Sequence, residues 1–315
     1  MGGLNVPLRA AARAGRWLLV AGLAAGIALP DIAAAMKPWL PELVGFLLFL
    51  AALRIGPRAA LGALSDLRAV VGVALIYQLV LPVATLTAAL AAGIAHLPLA
   101  TALVLMLSAP SISGSPNLTV LTGNDPTPAL RILILGTAIL PLTVLPVLWL
   151  SPALGTPAEV LGAAARLLLV IALAAAAGFA LRSVVMPAPS RAGIEAIDGL
   201  SAVAMAVIVV GLMAAVRPAL EQQPDRFLLW LSIAFAANFG LQIAAAAILR
   251  RSPLAAQRVP LAIVAGNRNI ALFLAALPAT VTDPILLFIG CYQFPMYLTP
   301  ILLRRLFRAP DPESP

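Results

Sequence analysis

A single arginine, Arg268, lies between two asparagines in the otherwise apolar segment VAGNRNIALFLAALP, residues 264–278. A guanidinium stays charged at physiological pH and donates paired hydrogen bonds that match a carboxylate, so it has the chemistry to hold an organic anion. Asn267 and Asn269 add amide donors and acceptors beside it. Because a charge in such a segment generally faces a cavity or a partner, these three residues are the first candidate binding residues.

A second polar segment, LSAPSISGSPNLTV at residues 107–120, interrupts another apolar run. Proline removes a backbone donor and glycine weakens a helix, so both this segment and the one around Arg268 predict broken helices. An interrupted helix survives inside a membrane only where protein covers it or where it lines a cavity. The predicted break residues are Pro110, Gly114, Pro116 and Gly266, and the predicted polar lining of the first segment is Ser113, Ser115 and Asn117.

The serines of this segment raise the alternative of a membrane-embedded enzyme. Ser113 or Ser115 would need a base within hydrogen-bond range to act as a nucleophile. The one histidine, His96, is predicted in an external turn, and Lys37 is the only lysine. A single cysteine, Cys291, excludes an internal disulfide and a multi-cysteine metal site. The sequence therefore predicts no catalytic residue, no resident cofactor and no such metal site.

The composition predicts a membrane protein. Of the 315 residues, 62% are hydrophobic and 10% are charged. A soluble domain cannot carry that much apolar surface, so the chain is predicted to cross a lipid bilayer many times. The net charge of +8 does not indicate a nucleic-acid partner, because the arginines lie in short loops between apolar runs, where they act as topology signals.

About 20 apolar residues are needed for a helix to cross a bilayer. On this criterion the sequence predicts an all-α polytopic membrane protein with ten transmembrane helices. Because the N-terminal apolar run is long enough to span, we interpret it as the first helix and not as a cleaved leader. The ten predicted spans are 17–36, 39–53, 69–92, 98–121, 127–150, 158–181, 197–216, 226–249, 259–281 and 284–303.

The basic residues orient these spans. With the N-terminus inside, fifteen of the 20 lysines and arginines fall in cytoplasmic segments, four fall in external segments or at their borders, and Arg268 is left over within a span. Since positive residues accumulate on the cytoplasmic side, both termini are predicted to be cytoplasmic.

The spans divide five and five at the polar joint SPALGTPAE, residues 151–159. Since five is odd, the second half would enter the membrane from the opposite side, which predicts an inverted repeat of 1–150 and 151–315. The fourth span of each half carries one of the polar interruptions, and such matched interruptions indicate a substrate site. Arg268 falls roughly 13 Å into its span, close to the bilayer midplane.

Three motifs, together with the ten spans and two broken helices, give the chain a resemblance to the bile acid:sodium symporter family, in the superfamily of bile acid, arsenite and riboflavin carriers. The motifs are YQLVLP at 77–82, SAPSISGSPN at 108–117 and GNRN at 266–269. The resemblance implies an inner-membrane secondary transporter that moves an organic anion by alternating access. It also implies a core domain of spans three to five and eight to ten (69–150 and 226–303) and a panel domain of spans one, two, six and seven (17–53 and 158–216).

The family's sodium sites transfer only in part to this sequence. By resemblance, Gln78 and Asn117 match sodium ligands, and Thr137 lies near the ligands of the fifth span. The family's glutamate falls at Val264 and its glutamine at Arg268. Sodium prefers oxygen ligands, ideally with a carboxylate, yet all twelve acidic residues lie in or near predicted loops and tails. We therefore predict that Arg268 stands in for a sodium ion or meets the substrate's anionic group, and that sodium coupling is weakened or lost.

Other interpretations stay open at this point. A sodium-coupled symporter, like other members of the family, would require Gln78 and Asn117 to keep a residual ion site. A channel or a non-transporting sensor is a further alternative, although no repeated pore-lining ring is visible in the sequence. The sequence leaves open the identity of the organic anion, the direction of transport and the oligomeric state.

Overall fold

The computed structural model describes residues 5–62, 67–152 and 156–307. Across these ranges the chain is helical and has no strand, which confirms the predicted all-α class. The α-helices are α1 (Asn5–Arg13), α2 (Gly15–Ala28), α3 (Pro30–Met36), α4 (Leu40–Ile55), α5 (Pro57–Gly62), α6 (Leu67–Leu75), α7 (Leu81–Ala91), α8 (Pro98–Ser108), α9 (Ser115–Leu121), α10 (Thr127–Leu150), α11 (Pro157–Val185), α12 (Arg191–Leu212), α13 (Val216–Gln222), α14 (Pro224–Leu249), α15 (Arg258–Gly266), α16 (Ala279–Thr282), α17 (Leu286–Leu302) and α18 (Arg304–Phe307). A π-helix covers Ile76–Val80, and 3-10 helices cover Lys37–Trp39, Met213–Ala215, Ala255–Gln257, Ile270–Ala275 and Asp283–Ile285.

Seven helical segments in the described ranges are long and apolar enough to cross a membrane, so the chain is a multi-pass membrane protein. An eighth is added if the bent pair Val6–Arg13 and Trp17–Ala28 is counted as one span. The broken helices α8, α9 and α15 are too short to be counted, and the ten-span inverted repeat stays a prediction. The seven segments are Pro30–Ile55, Arg68–Ala91, Thr127–Leu150, Pro157–Val185, Arg191–Gln222, Pro224–Leu249 and Ala279–Leu302.

The break between the first two predicted spans lies earlier than predicted. The helix is interrupted at Leu29, which has φ −120° and ψ 71°, whereas helical turns continue from Pro30 to Ile55. Proline disfavours helical geometry in the residue before it, which explains the break at Leu29. Pro38 causes no such break, because it occupies the first turn of a 3-10 helix, where its missing N–H is not needed.

The chain forms two compact units, and each takes segments from both halves of the sequence. The joint proposed between the two repeats lies partly outside the described residues, at 153–155. The predicted core and panel domains stay a prediction. Unit 1 comprises Met1–Ser65, Pro152–Leu228 and Ala271–Gly290, and unit 2 comprises Asp66–Ser151, Leu229–Ile270 and Cys291–Pro315.

Unit 1 is organised around α12, which contacts α1, α2, α3 and α4, while α11 packs on α4. Arg54 in the last turn of α4 forms an ion pair with Asp198 of α12. Arg182 near the end of α11 donates to the carbonyl oxygen of Leu53 at 3.2 Å. Lys37, which precedes α4, pairs with Asp283 at 2.9 Å. Charged groups therefore hold α4 to other segments of unit 1 at both of its ends.

Unit 2 is organised around α10, which contacts α6, the π-helix, α8, α9 and α15. Its main apolar cluster contains Val70 and Val73 of α6, Leu135 of α10 and Val264 of α15. α8 and α15, the two short helices that end at the polar segments, both pack on α10. Ala109 and Ser111 of the first segment and Asn267 and Arg268 of the second are buried.

Candidate functional site

The first polar segment breaks the helix where the prolines require it. α8 ends at Ser108, and Ala109 is extended, with φ −64° and ψ 149°. Pro110 causes this, since it has no N–H and disfavours helical geometry in the preceding residue. The chain becomes helical again at Ser115. Pro116 fits the first turn of α9, because backbone N–H groups in a first turn have no acceptor within the helix and its missing N–H is not needed.

The second helix ends at Gly266, where α15 approaches α14 too closely for any side chain. A Cβ atom at Gly266 would lie 2.2 Å from the carbonyl oxygen of Asn238 and 2.4 Å from Cγ of Gln242. Asn267 then leaves helical geometry, with φ −103° and ψ 87°. The position of this break therefore depends on backbone contact between α14 and α15 as well as on local sequence.

Residues 109–114 and 267–269 pair along their backbones, and we call these two segments the paired breaks. Ser111 and Arg268 form an antiparallel β-bridge. Each break donates a backbone hydrogen bond to the other and accepts one from it. Backbone N–H and C=O groups that lie outside the helices are thereby hydrogen-bonded without water. The hydrogen bonds run from Ile112 N to Asn267 O at 3.1 Å and from Asn269 N to Pro110 O at 2.8 Å.

The side chain of Arg268 is buried at the paired breaks, with 2% of the residue exposed. Its Nη2 donates to the carbonyl oxygen of Tyr77 at 2.9 Å and to that of Leu107 at 2.5 Å. The guanidinium carbon lies 5.7 Å from the centre of the Tyr77 ring, within the range of a cation–π contact. Its Nε is buried without a hydrogen-bond partner in the described structure. The guanidinium therefore occupies a position between backbone carbonyls.

Local backbone geometry explains why these two carbonyls are open. In the π-helix, the backbone N–H of Leu81 donates to the carbonyl oxygen of Ile76, whereas in an α-helix it would donate to that of Tyr77. The next residue, Pro82, has no N–H to offer. Leu107 lies in the last turn of α8, where carbonyls have no partner within the helix. Arg268 thus caps two separate interruptions with one nitrogen.

Among the residues that the structure describes, Arg268 has no carboxylate partner in unit 2. The described carboxylate of this unit, Asp125, is exposed in the turn before α10. Asp66, Asp311 and Glu313 lie outside the described residues. Carbonyl dipoles therefore stabilise the buried charge, as they would stabilise a bound monovalent cation.

A second set of polar side chains anchors the break at Gly266. Its carbonyl oxygen accepts hydrogen bonds from Tyr292 Oη of α17 and from Asn238 Nδ2 at 2.5 Å. Gln242 Nε2 donates to Asn238 Oδ1 at 2.6 Å and to Thr299 Oγ1 at 3.0 Å. These buried contacts tie α14 and α17 to the end of α15.

Sequence reasoning missed Asn238, Gln242, Tyr292, Thr299 and Tyr77. One signal was available, because Asn238 and Gln242 are four residues apart in a long apolar helix and so share one of its faces. Tyr77 lies in the motif YQLVLP, which pointed to Gln78 instead, and no local pattern marks Tyr292. The roles of both tyrosines depend on contacts distant in sequence.

The structure separates the predicted binding residues by environment. Arg268, Asn267, Ser115 and Gln78 are buried, and Ser111 donates to Ser115 Oγ at 2.7 Å. Asn269, Ser113 and Gly114 are half-buried at the paired breaks. Thr137 is half-buried on α10 and Asn117 is exposed on α9, and no described hydrogen bond joins either of them to the paired breaks.

The surroundings of Gln78 and Val264 bear on sodium. Gln78 packs against Gly136 of α10, and its Oε1 is buried without a hydrogen-bond partner in the described chain. Val264, where the resemblance predicts a glutamate, is fully buried in the apolar cluster beside residues such as Val70 and Leu135. A carbonyl-lined position is therefore present, while the side chain of Val264 is apolar.

Comparison with known proteins returned neither a matching family model nor a matching curated protein. The resemblance to the bile acid:sodium symporter family stays a prediction. The paired breaks and their buried arginine are thus the observations on which a functional proposal depends.

Proposed function

We propose that this protein is a secondary transporter of a small organic anion that works by alternating access, and that Arg268 replaces a coupling sodium ion. The observation that carries the proposal is the burial of Arg268 between the carbonyl oxygens of Tyr77 and Leu107 at the paired breaks. Unwound carbonyls and helix ends at such breaks are the groups with which secondary transporters coordinate ions.

The geometry favours a fixed cation over direct substrate capture. Nη2 is committed to two backbone carbonyls, and the side chain is almost entirely covered. A sodium ion about 5 Å from the guanidinium would be repelled by roughly 3 kcal/mol at an effective dielectric constant near 20. With Val264 at the glutamate position, this repulsion has no nearby carboxylate to offset it. We infer that sodium coupling is weakened or absent.

The wider architecture belongs to the same proposal. Ten spans in two inverted repeats, with α8/α9 and α15 as parts of the fourth and ninth spans, would place the paired breaks near the midplane. The location would be the inner membrane with both termini cytoplasmic. Support comes from the two breaks at corresponding positions of the halves, and from the bias of basic residues toward one set of predicted loops.

Substrate contact falls to groups that remain accessible at the paired breaks. Ser113 and Asn269 are half-buried there, each on one of the two segments that the backbone of Arg268 helps to pair. Their hydroxyl and amide can bind a carboxylate oxygen, while the fixed positive charge nearby favours an anion over a neutral molecule.

Uptake into proteoliposomes tests the proposal. A panel of radiolabelled organic acids is offered with a sodium gradient and again with choline in place of sodium. At least one acid should enter the vesicles at the same initial rate in both conditions. The Arg268→Gln variant should lose this transport, while Arg166→Gln, which changes an exposed arginine of α11, should keep it.

Strict dependence of uptake on sodium would contradict the replacement of the ion by Arg268. Ligand binding without flux would indicate a sensor instead of a transporter. Arg268→Gln transport equal to the parent's without sodium would remove the role assigned to the guanidinium.

A further inference from the structure

The amphipathic helix α1 is fixed to the first turns of α12. A Cβ atom at Gly199 would lie 1.8 Å from the carbonyl oxygen of Leu8, so the α1 backbone rests directly on this glycine. Arg9 Nε also lies 2.7 Å from Glu195 Oε2, which joins the two helices by an ion pair. The position of α1 is therefore determined by packing within unit 1.

α1 runs almost perpendicular to the helix that follows it. Val6–Arg13 and Trp17–Ala28 are bent by 83° relative to each other. α2 packs along α12, with Gly22 against Ala206 and Gly26 against Met213, and α12 belongs to one of the seven segments long enough to cross a membrane. A helix nearly perpendicular to α2 therefore lies close to the plane of the bilayer. Val6 and Trp17 are exposed, and an exposed tryptophan beside such a helix is typical of the membrane–water interface.

Three exposed arginines belong to elements at this end of unit 1. Arg13 is on α1, Arg191 starts α12, and Arg58 is on α5, which directly follows the end of α4 that Arg54 pairs with Asp198 of α12. The two carboxylates of α12 are shared among three arginines, one of which is the exposed Arg191. Glu195 binds both Arg9 and Arg191, and Asp198 binds Arg54 of α4. This end of unit 1 therefore presents an excess of positive charge beside a helix that lies flat.

We propose that the surface formed by Arg13, Arg58 and Arg191 binds the headgroups of anionic phospholipids, and that α1 is an interfacial helix that follows the bilayer surface. Charge complementarity identifies the partner. The angle of α1 places Arg13 at the level of the headgroups, and Arg191 starts α12, the helix on which α1 packs, at the same end of unit 1 as Arg58. A basic residue close to an anionic membrane surface strengthens attachment by roughly five-fold, and salt weakens the effect. The inference does not depend on transport or on sodium.

Fluorescence of Trp17 measures the contact in the full chain. Trp39, Trp149 and Trp230 are replaced by phenylalanine, and the protein is reconstituted in phosphatidylcholine vesicles that contain brominated phosphatidylglycerol or the same fraction of brominated phosphatidylcholine. Brominated phosphatidylglycerol should quench Trp17 several-fold more strongly, and high salt should reduce the difference. A variant with Arg13→Gln, Arg58→Gln and Arg191→Gln should lose the preference.

Two controls separate this surface from general effects of charge and folding. Arg166→Gln removes an exposed arginine from α11 outside the surface and should keep the preference, whereas Gly199→Val should displace α1 and abolish it. If the phenylalanine variant does not fold, the thermal unfolding of the parent and the triple variant in micelles with either lipid gives the same comparison. Equal quenching by both lipids, or a preference that survives the triple substitution, would overturn the proposal. So would a change of oligomeric state in the triple variant with no lipid effect, which would assign the surface to a second copy of the chain.

Discussion

Ser111 and Arg268 pair their backbones as an antiparallel β-bridge, although 157 positions separate them and both follow the end of an α-helix. The same arginine sends its side chain to Leu107, in the last turn of the helix before Ser111. The backbone of Arg268 therefore pairs with one interrupted segment, and its side chain binds the last turn of the helix before that segment. This arrangement explains how a positive charge and two breaks can lie together inside a tightly packed helical unit.

Removing the guanidinium should destabilise unit 2. In Arg268→Gln the shorter side chain cannot reach the carbonyl oxygens of both Tyr77 and Leu107. A buried carbonyl left without a hydrogen bond costs about 1–3 kcal/mol of stability. Arg268→Lys keeps the charge but lacks the planar fork, so its loss should be smaller. Thermal unfolding in detergent micelles ranks the variants, with the parent most stable and glutamine least. A glutamine variant as stable as the parent would show that the two carbonyls do not need this donor.

A side chain at Gly266 should be poorly tolerated. Gly266→Ala would place Cβ within 2.4 Å of both Asn238 and Gln242, so α15 would have to move away from α14. Gly240→Ala is the matched control, because no atom lies within 4 Å of its added Cβ. Alanine favours a helix by up to about 1 kcal/mol over glycine, so Gly240→Ala should be neutral or stabilising. The melting temperatures of the two variants should therefore move in opposite directions, or at least differ clearly, and equal shifts would argue against the close approach.

The backbone pairing between the breaks can be tested with one position. Asn269→Pro removes the N–H that donates to Pro110, whereas Asn269→Ala keeps it and removes only the amide side chain. Proline should destabilise the protein by about 1–3 kcal/mol more than alanine, because a buried carbonyl loses its donor. Unfolding curves of the purified variants give the comparison. Equal stability of the two would mean that this hydrogen bond is absent or irrelevant.

Tyr292 and Asn238 should act together, since both donate to the carbonyl oxygen of Gly266. Tyr292→Phe leaves the Asn238 donor in place, and Asn238→Ala leaves the tyrosine. The double variant should lose more stability than the sum of the single losses, by about 0.5–3 kcal/mol, the range seen for residues that share a partner. Strict additivity in a double-mutant cycle would contradict a shared acceptor.

Acid should weaken the start of α10. The hydroxyl and the amide of Thr127 donate to Asp125 Oδ1 at 2.7 and 3.0 Å, and these bonds hold the pKa of the carboxyl below its usual value. Because the folded pKa is lower than the unfolded one, the interaction stabilises the fold at neutral pH and is lost as pH falls below about 4. The melting temperatures of the parent and Thr127→Val should therefore converge on acidification. A gap that stays constant down to acidic pH would contradict this coupling.

Several features followed from the sequence alone. Composition determined the membrane class and the helical class, because so apolar a chain can satisfy its backbone in lipid only by forming helices or a closed barrel, and its apolar runs do not alternate. Pro110 marked the first break through its missing N–H and its effect on Ala109. The sequence also predicted that Arg268 faces a cavity or a polar partner, since a charge in an apolar run requires one.

Tertiary structure decided which partners these residues found. Arg268 bonds to carbonyls 191 and 161 positions away, and no local pattern specifies such a pair. The carbonyl of Tyr77 became available only because the π-helix shifts the register onto Pro82. The break at Leu29, in place of the one expected near Lys37, shows the same limit, since only one of two nearby prolines interrupted the helix. The type of a side chain determines which hydrogen-bond partners it requires, whereas tertiary packing determines which group distant in sequence provides them.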